Sequence, residues 1–461
     1  MADSLNVWMN GLLVGNWSYS RSKTSVFQYQ PSWMESAASR PLSLSMPMTA
    51  GNSEHRGEVV DNYFDNLLPD NEAIRQRIRS RYATRSTEAF ELLTAIGRDC
   101  VGAVQLLAPD MTPDGWDRVA SVAMSETDVA RQLRVATSNL LLGQGMDADQ
   151  DFRISIAGAQ EKTALLKYGG YWRMPKGATP TTHILKLPMG IVGNQRADLR
   201  GSVENEWLCS KILEALGFQV AATDIETFEG QKALVVERFD RRWQGIAADQ
   251  QNQPSFEPGS DVWIARLPQE DFCQIKGRSP NQKYESHGGP GIAKCLEQLA
   301  GSQEADSDRT QFVLTQLGFW LLAATDGHAK NFSVFLLRGG TYRMTPLYDV
   351  ISVWPYIGAE PHKLLPYQDA KLAMALHSKS AHYRLNEVRV RHWQRLAREC
   401  RVDGVWEKIL QLVEDIDPVV EAVESRLPSE FPEHIWSAIS GGARTHASQF
   451  QRELALLKSG S

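Results

Sequence analysis

At 461 residues the chain is longer than one ordinary core, and two or three domains are expected. Its 42% hydrophobic and 23% charged residues are those of a soluble globular protein, and 49 basic against 55 acidic side chains give a net charge of −6, which argues against autonomous, nonspecific binding to nucleic acid. Five scattered cysteines with no C-x-x-C pair argue against structural zinc and a disulfide framework, and fit a reducing compartment. The opening residues carry no basic n-region, and the longest apolar run, about 317–324, falls far short of the about 20 residues that span a bilayer. A cytoplasmic protein without membrane attachment is expected.

In chain order, Asn10-Gly11 between apolar segments predicts a tight hairpin, with 27–29 and 42–48 adding strands to a small sheet. Val60, Tyr63, Phe64, Leu67 and Leu68 recur at helical spacing up to Pro69. A second helix follows over 71–82, where the arginines at 75, 77, 79 and 81 read as a solvated face, and a third begins after Thr87 and is capped at Gly97. Residues 111–150 read as a connector around one helix, about 125–142. Strands are then predicted at 152–156, 163–168 and 183–188, an amphipathic helix at 204–216 and a strand at 232–240. Residues 244–258 read as a surface loop. Beyond Pro268 helices are expected at 292–299, 308–324, 386–399, 404–423 and 445–457, with a hairpin at 332–347 as the exception. The fold class is therefore α+β. Its expected division is an N-terminal α/β lobe, 1–271 (subdomain 1–110, connector 111–150, nucleotide-binding part 151–271), and a mainly helical lobe, 272–461.

The chemistry concentrates at Asp326 and Asn331, five positions apart in a polar turn between two apolar runs, followed by the hairpin and Asp349. Kinases use this order of parts: the first Asp takes the acceptor hydroxyl proton, and the Asn and the second Asp hold Mg²⁺ on ATP. The alternative for Asp326 is a helix-terminal polar residue, and for Asp349 a turn aspartate; the apolar neighbours Leu347, Val350 and Ile351 make an unpaired carboxylate at 349 costly. His328 and Lys330 share the turn, and a basic group two positions after the acid can neutralise a transferring phosphoryl. Lys330 alternatively faces solvent. Lys186, among aliphatic residues in its strand, is either a phosphate clamp paired to Glu206 or Glu204, or an edge lysine. Ser155 to Lys162 occupies the place of a phosphate loop with a single glycine, Gly158, and lacks G-x-G-x-x-G. Glu237 and Phe239 stand where a hinge meets adenine, or at an ordinary charged strand end.

Longer stretches carry a resemblance. I-S-I-A-G-A-Q-E-K-T-A-L-L (154–166), P-K-G-A-T-P-T-T-H-I-L-K-L-P (175–188), V-E-R-F-D-R-R-W (236–243), K-Y-E-S-H-G-G-P-G-I-A (283–293) and A-T-D-G-H-A-K-N-F-S-V-F (324–335) resemble HipA, the kinase toxin family of bacterial HipBA type II toxin–antitoxin systems. The resemblance spans nearly the whole chain. It implies a two-lobed, protein-kinase-like fold and an ATP- and Mg²⁺-dependent serine/threonine-protein kinase. It also implies a HipB-like helix-turn-helix antitoxin, a heterotetramer with two toxin chains, operator DNA bound as co-repressor, and glutamyl-tRNA synthetase as substrate, leading to growth arrest and persistence. By the same resemblance Asp326 is the catalytic base and Asn331 and Asp349 are the metal ligands. Ile156, Ala157, Gly158, Ala159, Gln160, Glu161, Lys162, Lys186, Glu237, Phe239, His328 and Lys330 are the nucleotide contacts, and Ser155 is the autophosphorylated serine. Departures are the apparent insertion 244–258 and divergent final helices. Rival readings are a small-molecule kinase of the aminoglycoside-phosphotransferase type and a catalytically idle co-repressor.

Overall fold

The computed structural model describes residues 4–137, 160–192, 197–251, 254–256, 261–358 and 365–459. It divides into two compact units that interleave in sequence: 1–187, 226–281 and 333–342 form the first, and 188–225, 282–332 and 343–461 the second. No described helix is long and apolar enough to cross a membrane.

The first unit opens with the expected hairpin. Ser4–Met9 and Leu12–Tyr19 pair across Asn10 and Gly11, whose φ values of 45° and 79° are those of a type I′ turn. Ser25–Tyr29, His55–Arg56 and Gln105–Leu107 complete a five-stranded sheet. Helices Glu58–Asp65 and Ala89–Ile96 cover it, with Trp17 stacked on Phe64 at 3.8 Å in the core. The strand expected at 42–48 is instead a turn closed by a single Ser43–Met46 bridge. Its polar groups turn inward: Ser43 Oγ and Leu44 N–H both donate to the buried Glu270 carboxyl group. Helix Glu72–Tyr82 buries no residue, in line with a solvated arginine face, although Arg75 and Arg77 pair with Asp65 and Glu161.

A six-stranded sheet follows, in the order Thr223–Phe228, Gln231–Glu237, His183–Lys186, Lys162–Tyr168, Tyr171–Pro175, Ser121–Ala123. The connector thus contributes an edge strand and the helix Glu126–Thr137, whose Val129 and Leu133 pack on Leu165, Leu185 and Val235. The strand expected at 152–156 lies outside the described residues. Part of the loop at 244–258 folds back on the sheet, where Phe256 stacks on Tyr168 at 4.6 Å.

Beneath the motif V-E-R-F-D-R-R-W lies an ionic cluster. Arg238, Arg241, Arg266, Asp99 and Asp240 are all at most 5% exposed in their side chains. Arg238 reaches Asp240 at 2.8 Å and Asp99 at 3.3 Å, while Arg241 meets Asp99 at 2.8 Å. Burial alone pushes the Asp99 carboxyl up, but the three guanidinium groups more than reverse this and hold it well below the usual carboxylate range.

In the second unit, helix Ser202–Ala215 is buried on nearly every side from Ser202 to Ser210, so it is a core helix rather than the amphipathic one expected. Helices Ile292–Leu299, Ala305–Leu321, Val390–Cys400, Val405–Glu414, Ile416–Glu424 and Glu433–Ser459 follow it in sequence. The helix expected over 404–423 is two, broken at Asp415, and the last begins well before residue 445. His446 pins that last helix: it stacks on Trp320 at 4.2 Å, and its Nδ1 lies 2.7 Å from Trp320 O. Burial brings its pKa down to about 4. A second hairpin, Lys371–His377 with Ala381–Arg384, was not expected. Its apolar run Leu372 to Leu376 and its Ser378-Lys379-Ser380 turn carried the signal.

Two predictions test this framework. Arg238→Ala leaves two buried carboxylates undercompensated and is expected to cost about 3–5 kcal/mol in urea unfolding. Burial raises the Glu270 carboxyl from 4.5 to about 8 against the Ser43 and Leu44 hydrogen bonds. Between those values the folded state keeps a proton that the unfolded state has lost, so this residue's contribution falls as pH rises. Glu270→Gln should therefore gain Tm relative to the parent from pH 5 to pH 8; a constant difference would contradict the assignment.

Candidate active site

The second unit holds Asp326, His328, Lys330, Asn331 and Asp349 together. Helix Ala305–Leu321 ends in Leu322 and Ala323, and Ala323 adopts φ 47°, which turns the chain into the loop. Gly327 is required there: a Cβ would lie 2.3 Å from the Phe319 ring. His328 N–H donates to Asp326 O at 2.7 Å and Asn331 N–H to His328 O at 2.9 Å, so the loop is wound on its own main chain. The Asn331 amide then donates to Asp326 O at 2.9 Å and to Asp349 O at 3.4 Å. Tyr348 Oη closes the same junction by donating to Lys330 O at 2.8 Å.

Asp349 sits at φ 61°, a left-handed conformation that Asp tolerates better than most residues but that still needs surrounding support. Support comes from Asn205, which is fully buried. Its Oδ1 accepts Ser352 N–H and its Nδ2 donates to Ser352 O, both at 2.8 Å, while Ser352 Oγ donates to Leu322 O at 2.5 Å. The segment after Asp349 is thereby tied to the end of the helix before the loop.

The Asp326 side chain is 61% exposed and His328 only 5%, with Nε2 of the histidine 3.9 Å from Asp326 Oδ2. The other oxygen, Oδ1, accepts a hydrogen bond from Tyr284 Oη. An exposed carboxylate oriented by a phenol is accessible to an acceptor hydroxyl and has one oxygen left to take its proton. Lys330 is buried rather than solvent-facing.

The remaining predicted residues lie elsewhere. In the first unit Lys186 is 6% exposed and pairs across the strands with Lys162. Gln160 Nε2 donates to Leu187 O at 2.5 Å, and Leu187 N–H to Glu161 O at 3.1 Å, which places the end of the predicted phosphate loop beside the lysine strand. The register places the two lysines directly opposite each other on neighbouring strands. Glu237 stands opposite His183 at the end of its strand, and Phe239 packs edge-on against Phe335 at 5.8 Å, while Arg238 and Asp240 alternate into the ionic cluster. Ser155, Ile156, Ala157, Gly158 and Ala159 lie outside the described residues. Glu204 and Glu206 are both buried on helix Ser202–Ala215 of the second unit.

The donor set fits a magnesium nucleotide in kind. With its nitrogen directed at two carbonyls, Asn331 has Oδ1 left as a ligand, and Asp349 adds a carboxylate. One or two hard oxygen donors suit Mg²⁺, which keeps several waters and takes further oxygens from phosphates. Tyr284 and Asn205 escaped the sequence reading. Tyr284 lay within K-Y-E-S-H-G-G-P-G, whose density of special residues was a signal, whereas a polar residue inside a helix carried none.

Site and architecture define an α+β protein of kinase-like fold. Family models for the HipA N-terminal domain and the HipA-like C-terminal domain match residues 5–107 and 154–426. The Sinorhizobium fredii protein Y4mE is 31% identical over 405 residues, 86% of each chain. The serine/threonine-protein kinase toxin HipA of Shewanella oneidensis is 28% identical over 393 residues, 79% of each. A solved complex of Shewanella oneidensis HipA, HipB and operator DNA shares the fold, with a TM-score of 0.76 at 21% identity over 99% of each chain. The chain belongs to the HipA family.

Asn205→Ala removes both bonds to Ser352 and leaves its buried peptide groups unsatisfied. A loss of about 2–4 kcal/mol is expected in chemical unfolding; an unchanged midpoint would show that the clamp is dispensable.

Proposed function

We propose that this chain is an ATP- and Mg²⁺-dependent serine/threonine-protein kinase acting as the toxin of a type II toxin–antitoxin system. The observation that carries it is the Asn331 amide joining the Asp326 loop to Asp349, since it sets a base and two hard oxygen ligands on one support. When bound, Mg²⁺-ATP supplies the γ-phosphoryl group and neutralises charge on its oxygens. Asp326 orients the acceptor hydroxyl and takes its proton on Oδ2. Asn331 Oδ1 and the Asp349 carboxylate hold the metal. Lys186 and Lys162, with Ile156 to Glu161, hold the phosphates, Glu237 and Phe239 flank adenine, and His328 and Lys330 add positive charge on the loop.

Family membership supports the finer reading: glutamyl-tRNA synthetase as substrate, with translation inhibited and persistence promoted. It supports a HipB-like antitoxin as neutralising partner, in a heterotetramer with two toxin chains that binds operator DNA as co-repressor. Ser155 is the proposed autophosphorylation site, because two negative charges in a phosphate-binding segment repel ATP and switch the enzyme off. Labelled γ-phosphate should appear on Ser155 by peptide mapping after incubation with Mg²⁺-ATP. Asp326→Asn should abolish it, and Ser155→Ala should remove that peptide's label while leaving transfer to glutamyl-tRNA synthetase. Label on small acceptors alone would favour a small-molecule kinase, and no ATP binding would favour an idle co-repressor.

A further inference from the structure

Residues 283–289 form a strap within the second unit. At one end Lys283 O accepts Ala329 N–H at 3.1 Å and Tyr284 Oη donates to Asp326 Oδ1. The Tyr284 ring stands edge-on to His328, with centroids 5.1 Å apart. At the other end Glu285 Oε2 accepts Ala375 N–H at 2.7 Å, and Oε1 lies 3.0 Å from His377 Nε2, both on the hairpin strand Lys371–His377. Gly289 N–H closes the strap onto Tyr284 O at 3.0 Å. The glycines of the motif follow from this closure: a Cβ on Gly289 would lie 2.2 Å from Gln282 O, and one on Gly291 2.2 Å from Glu285 Oε1.

Asp326 is the exposed member of the site, so packing does not fix its side-chain torsions. Among the described residues Tyr284 is the group hydrogen-bonded to its carboxylate, since His328 at 3.9 Å is beyond that range. We propose that Tyr284 is the positioning residue of the transfer step: its hydroxyl holds Asp326 Oδ1 so that Oδ2 faces the acceptor, and Glu285 anchors Tyr284 to the 371–384 hairpin. This rests on the kinase reading above. It assigns a role to K-Y-E-S-H-G-G-P-G that the nucleotide contacts do not use.

The test compares the full chain with Tyr284→Phe, Glu285→Ala and the double variant, reading the single-turnover rate of labelled phosphate transfer, the ATP Kd by calorimetry and Tm. Tyr284→Phe keeps the ring and loses only the hydroxyl. Its rate should fall roughly 10- to 100-fold, as expected for a misaligned reacting group, with ATP affinity within about twofold of the parent and no drop in Tm. Glu285→Ala should slow transfer in the same direction, and the double variant should be no slower than the slower single one, because both act along one path. A parental rate for Tyr284→Phe overturns the proposal, and a faster rate makes the bond an inhibitory latch instead. Fully additive losses overturn the anchoring role of Glu285. Absence of transfer by the parent chain overturns the kinase reading and this proposal together, whereas normal parental transfer isolates any failure to Tyr284.

Discussion

The Asn331 amide directs both N–H donors at main-chain carbonyls, Asp326 O and Asp349 O, and that choice ties the Asp326 loop to the segment carrying Asp349. A primary amide has a polar group at each end, so directing one end inward commits the other to face away. Glutamine would carry the oxygen about one bond farther, and aspartate would set a carboxylate against two carbonyls. The residue type therefore follows from the junction itself, before any ligand is considered.

The junction is supported from two sides. Asn205 reaches across from a core helix and satisfies both peptide groups of Ser352, three residues past Asp349. Tyr284 reaches the exposed side of Asp326 from a glycine-closed strap. Both supports come from segments distant in sequence, which is why a loop exposed at Asp326 can still keep a defined geometry. The unfavourable backbone of Asp349 is tolerated because its neighbours on both sides are fixed.

The legibility of the sequence divides along the same lines. Local signals worked: Asn10-Gly11 specified its turn, and Ile292–Leu299 carried a clear helical period. The spacing of Asp326, Asn331 and Asp349 pointed to one cluster, and the second unit does bring the three together. Long-range satisfaction was not legible. Helix Ser202–Ala215 looked amphipathic because Glu204, Asn205 and Glu206 are polar, yet all three are buried. Nothing local distinguishes a polar residue that faces water from one with a partner almost 150 positions away. The 42–48 segment failed for a related reason, since its hydroxyl and amide groups answer to Glu270, more than 220 residues downstream.

Asn331 and Asp349 are the proposed metal-holding pair. Calorimetric titration of ATP into the parent chain, Asn331→Ala and Asp349→Ala, each with Mg²⁺ and with EDTA, tests it most directly. Mg²⁺ should tighten ATP binding by the parent, and this gain should be lost in both variants, while their metal-free affinities are no weaker than the parent's. An undiminished Mg²⁺ effect in Asp349→Ala would contradict it.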